Sequence, residues 1–237
     1  MKIIIAVLLV CMVSTLSNEV NAASVNIPKT TLGRVFLSAD SHHRVATAFV
    51  AGDSHNVFVP AHAAIRDTMW YSDFGGRFKF RMTRKCTISG YDLAIYRRTG
   101  GEYPETTPIG NLERILPEDT VFYFAYIEDT LPVAGPVIVT AKGICAHMGE
   151  LVSFIDFYGP CAPGCSGGPV FSRDGEVVAM IVQGWTEESV KTEESRPVLR
   201  AFSVDLLRIV ESGVSYSTEE GSDSTGAGLS LFDFYTE

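Results

Sequence analysis

The stretch Pro163-Gly164-Cys165-Ser166-Gly167-Gly168-Pro169-Val170-Phe171 sets one hydroxyl among three glycines and runs directly into an apolar segment. Glycine weakens a strand interior, so glycines gather where backbone turns sharply or approaches another group closely. A turn of this kind presents Ser166 with free backbone N–H groups beside it. Such groups can hold the oxyanion of an acyl-transfer intermediate. The bland alternative is a Gly-rich turn with an incidental serine. The nucleophile reading therefore requires a base and an acid elsewhere in the chain.

Working outward, five histidines are available: His42, His43, His55, His62 and His147. Only His62 ends an apolar run within small residues, Phe58-Val59-Pro60-Ala61-His62-Ala63-Ala64. The alanines leave room around the imidazole. His42 and His43 fall in a polar turn, His55 falls in another, and His147 has no suggestive context. For the acid, Gly90-Tyr91-Asp92-Leu93-Ala94-Ile95-Tyr96 sets an aspartate directly before an apolar strand. A strand-start cap is the plain reading. The functional one is a carboxylate that holds His62 in the right tautomer and stabilises its imidazolium.

The rest of the chain reads as strands. Arg34–Leu37, Ala46–Val50, Asn56–Val59, Phe78–Met82 and Leu93–Tyr96 are short apolar or alternating runs separated by Gly, Asp and Ser. Thr99 to Asp119 is rich in Gly and Pro and reads as a linker. Beyond it, Val121–Tyr126, Val137–Ala141, Leu151–Phe157, Pro169–Phe171 and Val177–Val182 are further strands. This argues for an all-β barrel or sandwich. One stretch, Ser203 to Val210, has helical spacing with Gly213 as a stop.

Composition bounds the function classes. The chain has 237 residues and a net charge of −9, which argues against a nucleic-acid partner. Lys2 followed by the apolar run Ile3 to Val13 and by Val20-Asn21-Ala22 reads as a secretory signal cleaved after Ala22. The run is too short to span a bilayer, which takes about 20 residues, and no other segment is long and apolar enough to do so. The expected location is thus secreted or periplasmic. Of five cysteines, Cys11 falls in the signal. Cys86, Cys145, Cys161 and Cys165 allow up to two disulfides in three pairings. No zinc spacing is completed, and no metal or cofactor is expected. Residues 213–237 are an acidic tether with an aromatic tip, expected to be disordered. The tip, Leu229 to Tyr235, could dock onto the domain or a partner.

His62, Asp92 and Ser166 stand in the chymotrypsin-type order rather than the subtilisin or α/β-hydrolase order. Together with Thr47-Ala48-Phe49-Val50, Pro60-Ala61-His62, Asp92-Leu93-Ala94 and Gly164 to Pro169, the chain resembles chymotrypsin-like (trypsin-like) serine proteases. In spacing it is most similar to the HtrA (Deg) type, without a PDZ domain. The proteases of positive-strand RNA viruses are the other near relatives. The resemblance covers about residues 30 to 212. It implies an all-β fold of two six-stranded antiparallel Greek-key barrels, about 30–98 and 120–202, joined by the linker 99–119. A short helix at 203–211 follows.

What the resemblance implies is an exported serine endopeptidase acting on a protein or peptide substrate. His62, Asp92 and Ser166 would be the triad, and the N–H groups of Gly164 and Ser166 the oxyanion hole. The alternatives are an inactive protease-fold peptide-binding protein, a viral-type polyprotein-processing protease, and, more weakly, an esterase on the same triad. Three departures bear on this. Cys165 stands where many relatives carry Asp, so no N-terminus-driven zymogen switch is expected. It also offers a rival thiol nucleophile, one residue out of register. Pro160, six before Ser166, stands where trypsin has its specificity Asp, so tryptic specificity is not expected. Substrate would contact Pro160, Ile181, Val182, Gln183 and Gly184. An apolar or small P1 residue is the expectation, and the absence of a His in Val177 to Gly184 counts against Gln.

Overall fold

The computed structural model describes residues 27–40, 44–53, 55–100, 105–127, 132–160, 162–188 and 195–205. Twelve strands are present among them: β1 Leu32–Phe36, β2 Arg44–Val50, β3 Asn56–Pro60, β4 Thr68–Asp73, β5 Lys79–Ile88, β6 Leu93–Arg98, β7 Thr120–Tyr126, β8 Pro132–His147, β9 Glu150–Tyr158, β10 Pro169–Phe171, β11 Val177–Glu188 and β12 Ser195–Ser203. They close into two antiparallel barrels. One runs β1-β2-β3-β6-β5-β4, and the other runs β10-β11-β12-β9-β8-β7. Taken from β7, the second ring is β7-β8-β9-β12-β11-β10, the same strand order as the first. In each barrel the first strand pairs with the fourth to close it: β1 with β4 and β7 with β10. Closure leaves no exposed sheet edge.

Alternation explains how the barrels meet. In β2, β3 and β6, Ala46, Ala48, Val50, Val57, Val59, Ala94 and Tyr96 point into the first barrel. Their neighbours Phe49, Phe58, Leu93 and Ile95 point out, into a second cluster with Phe124, Tyr126, Phe171, Val177 and Met180 of the other barrel. Successive side chains on a strand face opposite ways, so one strand serves both cores. This is why β3 is buried along its whole length. Each buried Val, Leu, Ile or Phe side chain among them is worth about 1.5–3 kcal/mol.

Two elements depart from the expectations above. Ser203 is the last residue of β12 rather than the start of a helix, and its pairing with Ala179 extends the second barrel. Of the expected helix and tail, 206–237 lies outside the described residues, as do the signal segment at 1–22 and Cys161. β4 was not expected. Ser72 and Asp73 interrupt its apolar run, yet both are buried; the Asp73 carboxylate accepts hydrogen bonds from the N–H groups of Gly75 and Phe78 in the next turn. Cys86 and Cys145 are free thiols, so neither takes part in the disulfides that the cysteine count allowed. Among the described residues no helix is long and apolar enough to cross a membrane.

Candidate active site

β3 and β6 are antiparallel neighbours, with Pro60 paired to Leu93. Whatever follows Pro60 must therefore meet whatever precedes Leu93. Pro60 ends the strand, since it has no N–H to extend a ladder, and Ala61–Ala63 form one 3-10 turn carrying His62. On the other side a 3-10 turn, Ser89–Tyr91, delivers Asp92 in the left-handed region at φ 48°. Asp is among the few non-glycine residues enriched there.

The two side chains meet closely. His62 Nδ1 lies 2.6 Å from Asp92 Oδ2, and the His62 backbone N–H donates to Oδ1 at 3.0 Å. The Asp92 carbonyl accepts from Ala61 N–H at 2.8 Å. Asp92 is 12% exposed and His62 46%, so the carboxylate is enclosed and the imidazole edge is open. A carboxylate only accepts, so Nδ1 carries the proton and Nε2 is left as the basic nitrogen.

Ser166 comes from the second barrel, in the turn before β10. Gly164 has φ 100° and Gly167 φ 86°, values that favour glycine. The close approach is equally binding: a Cβ on Gly167 would lie 2.0 Å from the Thr47 carbonyl oxygen, and one on Gly168 2.4 Å from that of Phe124. The turn is held from behind by Gly167 N–H to Ile181 O (2.7 Å) and Ile181 N–H to Gly168 O (2.8 Å). It is held from the first barrel by Thr47. The Thr47 N–H donates to Ser166 O at 3.0 Å, and its hydroxyl donates to Gly164 O at 2.7 Å. The same oxygen accepts from Tyr126 N–H at 3.0 Å. Among the described residues, no carbonyl takes the N–H of Gly164 or Ser166.

The other predicted residues fall as follows. Cys165 is 3% exposed and belongs to the second-barrel core, with its Sγ 3.8 Å from the Pro160 carbonyl oxygen. Its sulfur thus faces away from the turn's open side. Pro160 is exposed at the end of β9. The Ile181 side chain is in the same core as Cys165, so it meets the Ser166 turn from behind, where its Cδ1 would lie 3.0 Å from a Cβ on Gly168. Val182 is the extra residue of a bulge between Ile181 and Gln183, Gln183 is exposed and Gly184 half-buried. Bulges are common beside active sites, where they re-aim side chains. Sequence reasoning quoted Thr47 without its role, and it set His147 aside. Thr47 was findable in part, because strand parity puts it on the same face as Phe49. Among the described residues no group of three or more His, Cys, Asp or Glu is placed to hold a metal ion.

The fold has counterparts among known proteins. Among solved structures, the chain is similar to the MamO protease domain from Magnetospirillum magneticum, at 16% identity and a TM-score of 0.60, covering 81% of this chain and 99% of that one. It is also similar to the HtrA-type protease AlgW with a tripeptide, at 17% identity and a TM-score of 0.63, covering 81% of this chain. The chain spans 62% of the length of that AlgW structure. At these identities the likeness is one of fold. No curated protein sequence matches the chain. The model of the trypsin-like peptidase domain matches residues 24–180, which is more than half of the chain. With its paired six-stranded barrels, the chain belongs to the trypsin-like peptidase domain family.

Proposed function

We propose that the protein is an exported serine endopeptidase that cleaves peptide bonds through Ser166, His62 and Asp92. What carries the reading is the His62–Asp92 couple, 2.6 Å apart, on the same barrel seam as a serine turn in which Gly167 and Gly168 have no room for a side chain. In this reading Ser166 Oγ attacks the scissile carbonyl while His62 Nε2 takes its proton. His62 then passes that proton to the leaving amine, and water hydrolyses the acyl-enzyme by the same steps in reverse order. Asp92 stays ionised and holds the imidazolium. The N–H groups of Gly164 and Ser166 receive the oxyanion, each worth about 3 kcal/mol. The signal-like run Ile3 to Val13 supports export.

The test is fluorophosphonate labelling of the chain from Ala23 onward, mapped by peptide mass. We expect one labelled site, Ser166, lost in Ser166→Ala, and peptide turnover lowered about a million-fold in that variant. A folded sample that takes no label would sink the reading in favour of an inactive peptide-binding protein. Faster turnover of simple esters with no peptide cleavage would reassign it as an esterase. A peptide library then reads the residue accepted beside Pro160, Gln183 and Gly184, with apolar or small side chains expected.

A further inference from the structure

His147 has no task in the chemistry above. It is the last residue of β8, paired with Glu150 across the turn into β9. Its Nδ1 lies 3.0 Å from the carbonyl oxygen of Gly90. A carbonyl only accepts, so Nδ1 carries the proton and donates. The ring stands edge-on to Phe202, with centroids 5.0 Å apart, and Phe202 is buried. A core side chain of the second barrel thus sets the direction in which His147 donates.

The acceptor belongs to the other barrel. Gly90 lies in the Ser89–Tyr91 turn that runs straight into Asp92. Glu150 closes over the same residue: a Cβ on Gly90 would lie 2.4 Å from Glu150 Oε2. Asp92 itself has φ 48°, and a non-glycine residue keeps such a conformation only where its surroundings determine it. The first barrel supplies two backbone restraints, Asp92 N–H to Ser89 O and Ala61 N–H to Asp92 O, beside the two bonds that the carboxylate takes from His62. His147 and Glu150 supply the restraint from the second barrel.

We infer that His147 is a positioning residue for the acid: it holds the Ser89–Tyr91 turn so that Asp92 meets His62. Seating the β8–β9 hairpin of the second barrel on the first-barrel turn completes the His62–Asp92 couple. The same barrel that carries Ser166 therefore aligns the base that serves it. The kinetic part of this inference rests on the proposed role of Ser166, whereas the structural part does not.

Two variants separate the roles of the ring. His147→Phe keeps the contact with Phe202 and removes the donor. His147→Asn loses the ring and places an amide N–H where Nδ1 was. Two readouts are taken: the rate of fluorophosphonate labelling of Ser166, and the downfield proton resonance of the His62 Nδ1–H bonded to Asp92. In His147→Phe we expect labelling about tenfold slower, inside the roughly hundredfold that a displacement near 1 Å can cost, and a lost or shifted resonance. In His147→Asn we expect both to return to near the wild-type values. Wild-type labelling in His147→Phe would overturn the inference. So would slow labelling with the resonance unchanged, or a loss that His147→Asn does not restore, since the ring would then be simple packing. If the unmodified chain takes no label at all, the proposed function fails, and the resonance alone decides the inference.

Discussion

Thr47 is fully buried and joins three segments. Its N–H and hydroxyl hold the carbonyls of Ser166 and Gly164, and its oxygen receives Tyr126 N–H from β7. Thr47→Val keeps the shape and the backbone bond, but removes the buried hydroxyl that gives to Gly164 O and takes from Tyr126 N–H. A buried polar group without a partner costs about 1–3 kcal/mol, so we expect a loss of about 2–4 kcal/mol in urea unfolding. Ser166 should also label more slowly, because Gly164 is no longer oriented. A valine variant with wild-type stability would remove Thr47 from its place as the strap between barrels. Arg200 is a second strong restraint. Its guanidinium makes two 2.8 Å bonds to Asp156 and lies over the Phe154 ring. The bond to Asp156 raises its already high pKa, so the guanidinium stays charged at any ordinary pH. Arg200→Ala would leave the buried Asp156 carboxylate unpaired, at an expected cost of about 3 kcal/mol, read as a lowered denaturation midpoint.

Among the elements, the β8–β9 hairpin is the most informative. Met148 and Gly149 form its two-residue turn, with φ 49° and 85°. Positive φ at both central positions is the turn that favours Asn-Gly, because its twist matches the flanking strands. Methionine has no such tolerance, and the left-handed conformation costs about 1–2 kcal/mol for a side chain of this kind. Met148 is 74% exposed, so little packing offsets that cost. Met148→Asn should therefore stabilise the protein by about 0.5–1 kcal/mol, seen as a raised chemical-denaturation midpoint, with Ser166 labelling unchanged. A lowered midpoint would mean that the methionine side chain makes contacts worth more than the strain. β3 and β6 show the opposite case. Their apolar alternation is plain in the sequence, and their register alone brings residues 61–62 opposite residue 92.

At the scale of the whole molecule, the two barrels share a core rather than a mere boundary. Phe124 of the second barrel packs edge-on to Phe74 of the first, with centroids 5.7 Å apart, and on Tyr126 at 5.4 Å. Its carbonyl also abuts Gly168 in the Ser166 turn. We expect one cooperative unfolding transition and a cost of about 3–5 kcal/mol for Phe124→Ala, with Ser166 labelling lost in step with unfolding. Two separate calorimetric transitions would show that the barrels fold independently, and the shared cluster would then contribute little to stability.

Much of this was open to reading in one dimension. Gly164 to Phe171, Pro60-Ala61-His62 and Asp92-Leu93 each carry a local signal: glycines where the backbone takes positive φ, a proline that stops a strand, an acid at a strand start. These are decided by near neighbours in the chain, so composition and periodicity report them. β4 and the full length of β12 were not legible. The burial of Ser72 and Asp73 depends on a turn five residues on, and Ser203 is kept in a strand by its partner Ala179 on β11. The matching order of the two barrels was likewise invisible, because the same closure is reached with unrelated side chains. Thr47 and His147 lie furthest from sequence reasoning. Each acts on a backbone carbonyl of the other barrel, and a carbonyl carries no mark of its residue type. Local chemistry thus determined which residues could react and where strands would begin and end. Only the packing of one barrel on the other decided which groups hold them in place.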